Sequence, residues 1–205
     1  MRIATIGLMF VGLSLVANAP VFSAFAQSTE GVLATVGAGS MDTRRVEIER
    51  LTVKSSRPFQ AVVDAVEGAV GRPDMAQFGK AIKNARSYSE MKRVVDSSVS
   101  QRGLMLFMRF DDGEILRKES GLDKPKIVRL LIGNPLIMKE MAKHVPDAAA
   151  YAPVTILVDE RSDGVHLTYD KMVSLLAPYG NSAALAVAQD LDKKIENLLR
   201  AAAGI

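Results

Sequence analysis

The tripeptide Gly133-Asn134-Pro135 stands between an apolar run, Ile127 to Ile132, and a segment with helical spacing that begins at Leu136. A strand-to-helix junction leaves backbone N–H groups free at the positive end of the helix, a setting that suits an anion. The plainer reading gives both residues a local task. Asn134 caps the helix, and Pro135 occupies its first position, where a missing N–H costs nothing. Asp111, Asp112 and Tyr169 are the groups that acid/base chemistry would call on. Asp111-Asp112-Gly113 at a strand end reads more simply as a turn. Gly133, Asn134, Pro135 and Tyr169 are therefore the candidate ligand-binding residues. No residue is assigned a catalytic or a metal-ligating role.

The remaining side chains exclude more than they offer. The two histidines, His144 and His166, are 22 positions apart and lack the short helical spacing of a metal pair. His144 falls near the end of the helix after Asn134, where a cation suits the dipole. His166 alternates with Val165 and Leu167 on a strand, so it is expected on the solvated side. Met105 and Met108 are expected on opposite faces of a strand, and Met138 and Met141 on one helical face. Core packing explains them better than a thioether site for Cu(I). The chain has no cysteine. That removes thiol catalysis, thiolate metal sites and disulfides. No nucleophile elbow, phosphate loop, dinucleotide fingerprint or calcium loop occurs. No cofactor is expected.

Positioning these residues falls to a series of short elements. Arg45 to Val53 alternates as a first strand, with a slip in period near Arg50. Ser55 or Ser56 is expected to cap a helix carrying Phe59, Val62, Val63, Val66 and Val70 on one face. Gly71-Arg72-Pro73 stops it. Met75, Phe78 and Ile82 mark another amphipathic turn. Ser87-Tyr88-Ser89-Glu90 resembles a capping box ahead of a further helical face. Leu104 to Phe110, Ile127 to Ile132, Val154 to Val158 and Val165 to Tyr169 are strands, the last two joined through Asp163-Gly164. Glu114 to Ser120 has room for a short helix. Leu185, Ala188, Leu191, Ile195, Leu198 and Leu199 form the buried stripe of a final helix. The order β-α-β-β-α-β-β-α describes an α+β domain. Its sheet is antiparallel-rich, with about five strands and helices packed on one face.

Residues 1–26 have the layout of a cleavable secretory signal. A positive start at Arg2 and an apolar run from Ile3 to Val16 are followed by Ala24-Phe25-Ala26, with small residues where a signal peptidase requires them. The run is shorter than the roughly 20 residues of a membrane span. The chain is therefore expected to be periplasmic or secreted, with no stable membrane insertion after cleavage. Residues 27–43 read as a flexible leader and 44–201 as a single domain. Removing 26 residues from 205 leaves 179 and takes away one basic residue. The balance becomes 25 basic against 23 acidic residues. A net charge of +2 gives no argument for a nucleic-acid partner.

Ile132-Gly133-Asn134-Pro135 after a strand resembles the Gly-Asn-Pro signature of domain-of-unknown-function family 302. Leu104–Asp111 resembles that family's Phe-rich strand. Tyr151–Glu160, Asp163-Gly164-Val165 and Leu167-Thr168-Tyr169-Asp170 follow in the family's order, as do Leu175–Gly180 and the last helix. Two departures stand out. Asp111-Asp112 replaces a frequent Asp-His, so no role for that histidine is carried over. The stretch through Leu122 is charged where the family is often alanine-rich. The resemblance implies a compact domain similar to the TATA-binding-protein-like β-α-β4-α arrangement, often dimeric, with no assigned activity. Likeness to a DNA-binding fold is analogy, and export argues against a DNA role. The expectation is an exported, non-enzymatic envelope domain and homodimer. It would bind a small or apolar ligand, or a protein partner, in a cleft between sheet and helices. The alternatives are a cofactor-poor enzyme and a structural dimer module.

Overall fold

Apolar alternation becomes five strands, and each of the longer helical stripes becomes a helix. In the computed structural model, residues 40–205 are described; the expected signal and the leader as far as residue 39 lie outside them. The strands are β1 (Arg50–Ser55), β2 (Met105–Phe110), β3 (Ile127–Gly133), β4 (Val154–Arg161) and β5 (Gly164–Asp170). Helices α1 (Phe59–Gly68), α2 (Met75–Asn84) and α3 (Tyr88–Ser98) separate β1 from β2. Helix α4 (Gly113–Ser120) lies between β2 and β3, and α5 (Pro135–Ala142) follows β3. A 3-10 turn, Pro146–Tyr151, leads into β4. Helices α6 (Met172–Leu176) and α7 (Ser182–Ala203) close the chain. The short helix after Asp111-Asp112 thus interrupts the expected β-β succession between β2 and β3.

All strand pairs are antiparallel, in the order β1-β5-β4-β3-β2. Val53, Leu130, Ile156, Val158, Leu167 and Tyr169 project from one face into a core shared with α1, α5, α6 and α7. Each is at most 5% exposed, and burying one such side chain contributes about 1.5–3 kcal/mol. The fold is α+β, with helices on one face of the sheet, and Thr43–Ile205 form one compact unit.

Two local expectations need correction. The first strand begins at Arg50 rather than Arg45, because the apolar parity changes there. Val46 and Ile48 fall on even positions, Leu51 and Val53 on odd ones. Only the second set is in register with β5, from Arg50 opposite Asp170 to Ser55 opposite Val165. Neither Ser55 nor Ser56 caps α1. Pro58 is at the N-cap, without a side-chain cap. Ser55 is buried, and its hydroxyl donates to the carbonyl of Ala203 at 2.8 Å, holding β1 to the end of α7. Ser87 does cap α3, accepting from Glu90 N at 3.2 Å. Asn181 caps α7 in the same way, from Ala184 N at 3.0 Å.

The opposite face of the sheet is read directly from the register. One row runs Thr52, Thr168, Leu157, Arg129, Phe110 across all five strands. The row on one side contains Arg50, Asp170, Leu131 and Met108, and the row on the other contains Lys54, His166, Asp159 and Ile127. Most of these side chains are exposed or half-exposed. This open face is polar along β1 and β5 and apolar along β2 and β3 apart from Arg129. Among the described residues no helix is long and apolar enough to cross a membrane.

Candidate functional site

Asn134 spends both ends of its amide on local structure. Its Oδ1 accepts from Leu136 N at 2.8 Å, and its Nδ2 donates to the Gly103 carbonyl at 2.9 Å. Pro135 opens α5. Asn134 and Pro135 share a recess of about 90 Å³ with Phe107, Met138, Ala152 and Pro153. A Cβ on Gly133 would stand 3.4 Å from Pro153 and 3.6 Å from the Phe107 ring. The junction therefore lines a small, mainly apolar hollow.

Tyr169 is not part of it. It projects from β5 into the core and is 1% exposed. Its hydroxyl donates to Asp192 Oδ1 on α7 at 2.6 Å. Asp192 also accepts from Met172 N at 2.8 Å and Val173 N at 3.1 Å, the first N–H groups of α6. A carboxylate from one helix thus serves the start of another, with the tyrosine as its third donor. Burial, and then the charge of Asp192, push ionisation of the Tyr169 phenol well above its ordinary range. The group is locked as a neutral donor.

The two aspartates after β2 are likewise occupied. Asp111 meets Arg117 at 2.9 Å, and the hydrogen bond from that guanidinium holds the carboxyl below its usual range. Asp112 meets Arg129 at 3.1 Å. The chain turns directly from Asp112 into α4, and Gly113 is required there. A Cβ would fall 2.6 Å from the Pro125 carbonyl oxygen and 2.8 Å from Ile127 N.

His144 is exposed just past α5. His166 faces the open side of the sheet, as its alternation predicts, but it is 9% exposed rather than solvated. Cross-strand neighbours account for this. Lys54 and Asp159 flank it in register, and Asp163 meets its Nε2 at 2.9 Å. The Asp163 carboxyl is held down at about 2 by its bonds to Lys54 and then His166. Among the described residues no three histidine or carboxylate side chains come together as a metal site.

The sheet–helix interior is filled by core side chains. A bowl of about 410 Å³ opens instead on the other face, at the end where α6 and the 3-10 turn overhang the sheet. Its floor is Thr155, Leu157 and Thr168, and its rim carries Tyr151, Pro153, Met172 and Leu175. Arg50 and Arg129 stand on opposite sides. Arg50 is committed to Asp170 through Nε at 2.6 Å and Nη2 at 2.9 Å, and this bond lowers the Asp170 carboxyl. Arg129 gives only Nε to Asp112, and its guanidinium lies 4.6 Å over the Phe110 ring. Tyr151 is steadied by Tyr179, their hydroxyls 3.2 Å apart, and Arg44 stacks on Tyr179 at 4.4 Å. Pro153 belongs to both the bowl and the recess beside Asn134.

Sequence reasoning did not single out these bowl residues, because they come from four strands, the 3-10 turn and α6. One signal was present. Arg129 is the only charge in the otherwise apolar run Ile127 to Ile132.

Comparison with curated proteins finds no match. Among solved structures, the fold is similar to the crystal structure of an uncharacterized conserved protein DUF302 from Bacillus stearothermophilus. The two are 18% identical, with a TM-score of 0.51, and the match covers 73% of this chain and 94% of that one. The same family, Domain of unknown function DUF302, matches residues 78–202. This span runs from α2 to the end of α7 and takes in four of the five strands, so the chain belongs to the DUF302 family.

Proposed function

We propose that the protein is an exported, non-enzymatic binding domain whose small, part-apolar ligand sits in the bowl on the open face of the sheet. The observation that carries this reading is the bowl itself. About 410 Å³ is within the range of small-molecule sites, and apolar walls with a few placed polar groups are their usual lining. The acid/base alternative draws little support from the geometry. Asp111 and Asp112 are tied to arginines, and Tyr169 is closed inside the core. Gly133, Asn134 and Pro135 lie beyond Pro153, where they shape the neighbouring recess rather than the bowl.

Native mass spectrometry of protein purified from its own envelope tests the reading. Wild type is expected to carry a small-molecule adduct. Leu157→Trp, which fills the floor, is expected to lose it while keeping its circular dichroism spectrum. An adduct that survives Leu157→Trp overturns this placement.

A second reading, a homodimer, draws on one surface. Ile115, Leu116 and Leu122 on α4 and just after it, and Met108 on β2, are 40–74% exposed, and apolar exposure of this kind, where contiguous, marks contact surfaces. Sedimentation velocity of wild type and of Ile115→Glu/Leu122→Glu tests it. A wild type that stays monomeric rejects it.

A further inference from the structure

The two arginines of the bowl look alike in the sequence but are not alike in chemistry. Arg50 forms a two-point pair with Asp170. Such a fork satisfies both partners and leaves little for a ligand. Arg129 is held from behind. Its Nε is bonded to Asp112 and its plane rests on Phe110, so the guanidinium is oriented at little further entropic cost. Its two Nη groups have no protein partner among the described residues. The bowl therefore has one self-neutralised side and one pre-oriented cationic fork.

Between them the surface is apolar or neutral. Leu157 is the cross-strand neighbour of Arg129, and Thr168 lies beyond it. Two inter-strand steps separate Arg129 from Thr168, about 10 Å. Met172 and Leu175 close the far wall.

Building on the binding reading above, the geometry points to a monocarboxylate with a medium-length apolar tail as the occupant. Its carboxylate takes the Nη groups of Arg129, and its tail lies over Leu157 toward Met172 and Leu175. A head with one negative charge fits better than a phosphate. A second charge would meet Asp112 behind Arg129 and Asp170 across the bowl, with no further free cation in the lining to offset it.

Isothermal titration calorimetry of the mature chain with octanoate, octanol, octyl phosphate and acetate tests this. Octanoate is expected to bind at least about tenfold more tightly than octanol, the usual worth of a charge-assisted hydrogen bond. Octyl phosphate is expected to bind less tightly than octanoate, and acetate not to bind. Arg129→Gln is expected to lose that tenfold for octanoate and nothing for octanol, and Arg129→Lys to fall between, since it keeps the charge and loses the fork. Circular dichroism checks that each variant is folded; Arg129→Lys decides the matter if Arg129→Gln is not. Equal affinity for octanoate and octanol overturns carboxylate recognition and leaves the binding reading standing. Tighter binding of octyl phosphate overturns the choice of head group. No binding of any probe overturns the carboxylate inference, while the adduct experiment still judges the bowl. Octanoate binding that survives both Arg129→Gln and Leu157→Trp overturns both.

Discussion

Replacing Tyr169 by phenylalanine separates a structural tyrosine from a functional one. The ring stays, so no cavity opens and only the hydroxyl is lost. That hydroxyl donates to Asp192 at 2.6 Å inside the core. A buried hydrogen bond to a charged acceptor contributes about 2 kcal/mol. Asp192 keeps Met172 N and Val173 N, so its charge is not abandoned and the cost stays near that figure. For a domain of this size the midpoint should fall by about 4–8 °C. Asp192→Ala removes the acceptor of the Tyr169 hydroxyl and of Val173 N, while Met172 N keeps the Tyr169 oxygen at 3.3 Å, and it should cost about 4 kcal/mol. The pH dependence has a definite sign. The folded chain holds the Tyr169 proton more tightly than the unfolded chain does. This stability is full below about pH 10, the ordinary tyrosine value, and is lost as the pH rises beyond it. Tyr169→Phe should flatten that alkaline limb. Thermal melts and urea titrations followed by circular dichroism at neutral and alkaline pH read all of these quantities. A Tyr169→Phe protein as stable as wild type that no longer carries the ligand adduct would refute the structural assignment.

Three further outcomes follow from the same geometry. Gly71→Ala places a Cβ 2.0 Å from the Ser98 carbonyl oxygen, a backbone atom that cannot swing aside, and should cost about 3 kcal/mol or more in urea unfolding. Asn134→Ala removes a cap and the bond to Gly103; it should cost about 2 kcal/mol and leave octanoate affinity unchanged in calorimetry. Asp170 and Asp111 are held below their ordinary values by Arg50 and Arg117. Their contribution is present above about pH 4, the unfolded carboxylate value, and is lost as the pH falls below it. Arg50→Gln should make the acid limb of the urea midpoint shallower.

Local physics made much of the fold legible. Alternation at Val165, Leu167 and Tyr169 marks a strand with one buried face, and Ser87 and Asn134 are caps legible from their own helices. The failures share a cause. Ser55 did not cap because its partner, Ala203, is 148 positions away. His166 was expected in solvent because alternation reports a face and not what stands beside it. Lys54, Asp159 and Asp163 become its neighbours only through strand register. The bowl was hidden for the same reason. Arg50 and Leu175 carry no mutual pattern in sequence, and an overhanging turn brings them to one hollow. Asn134 was legible as a cap and as a junction, and its second bond to Gly103 was not.

The strand order has a consequence for the way the chain acquires its structure. Strands β2, β3, β4 and β5 succeed one another as neighbours, so each new strand docks on the one made just before it. Strand β1 is different: among the described residues it is the first strand, yet its one strand partner there is β5, and Arg50 waits for Asp170 across 120 positions. Closing that loop is the costliest ordering step in the sheet. A ribosome or a translocation pore that delivers the chain from its N-terminus therefore releases an unpaired β1 long before its template exists. Nearly the whole domain must emerge before the sheet can be completed. On topology alone the four-stranded meander is expected to form before β1, with its Ser55 link to α7, is fastened on.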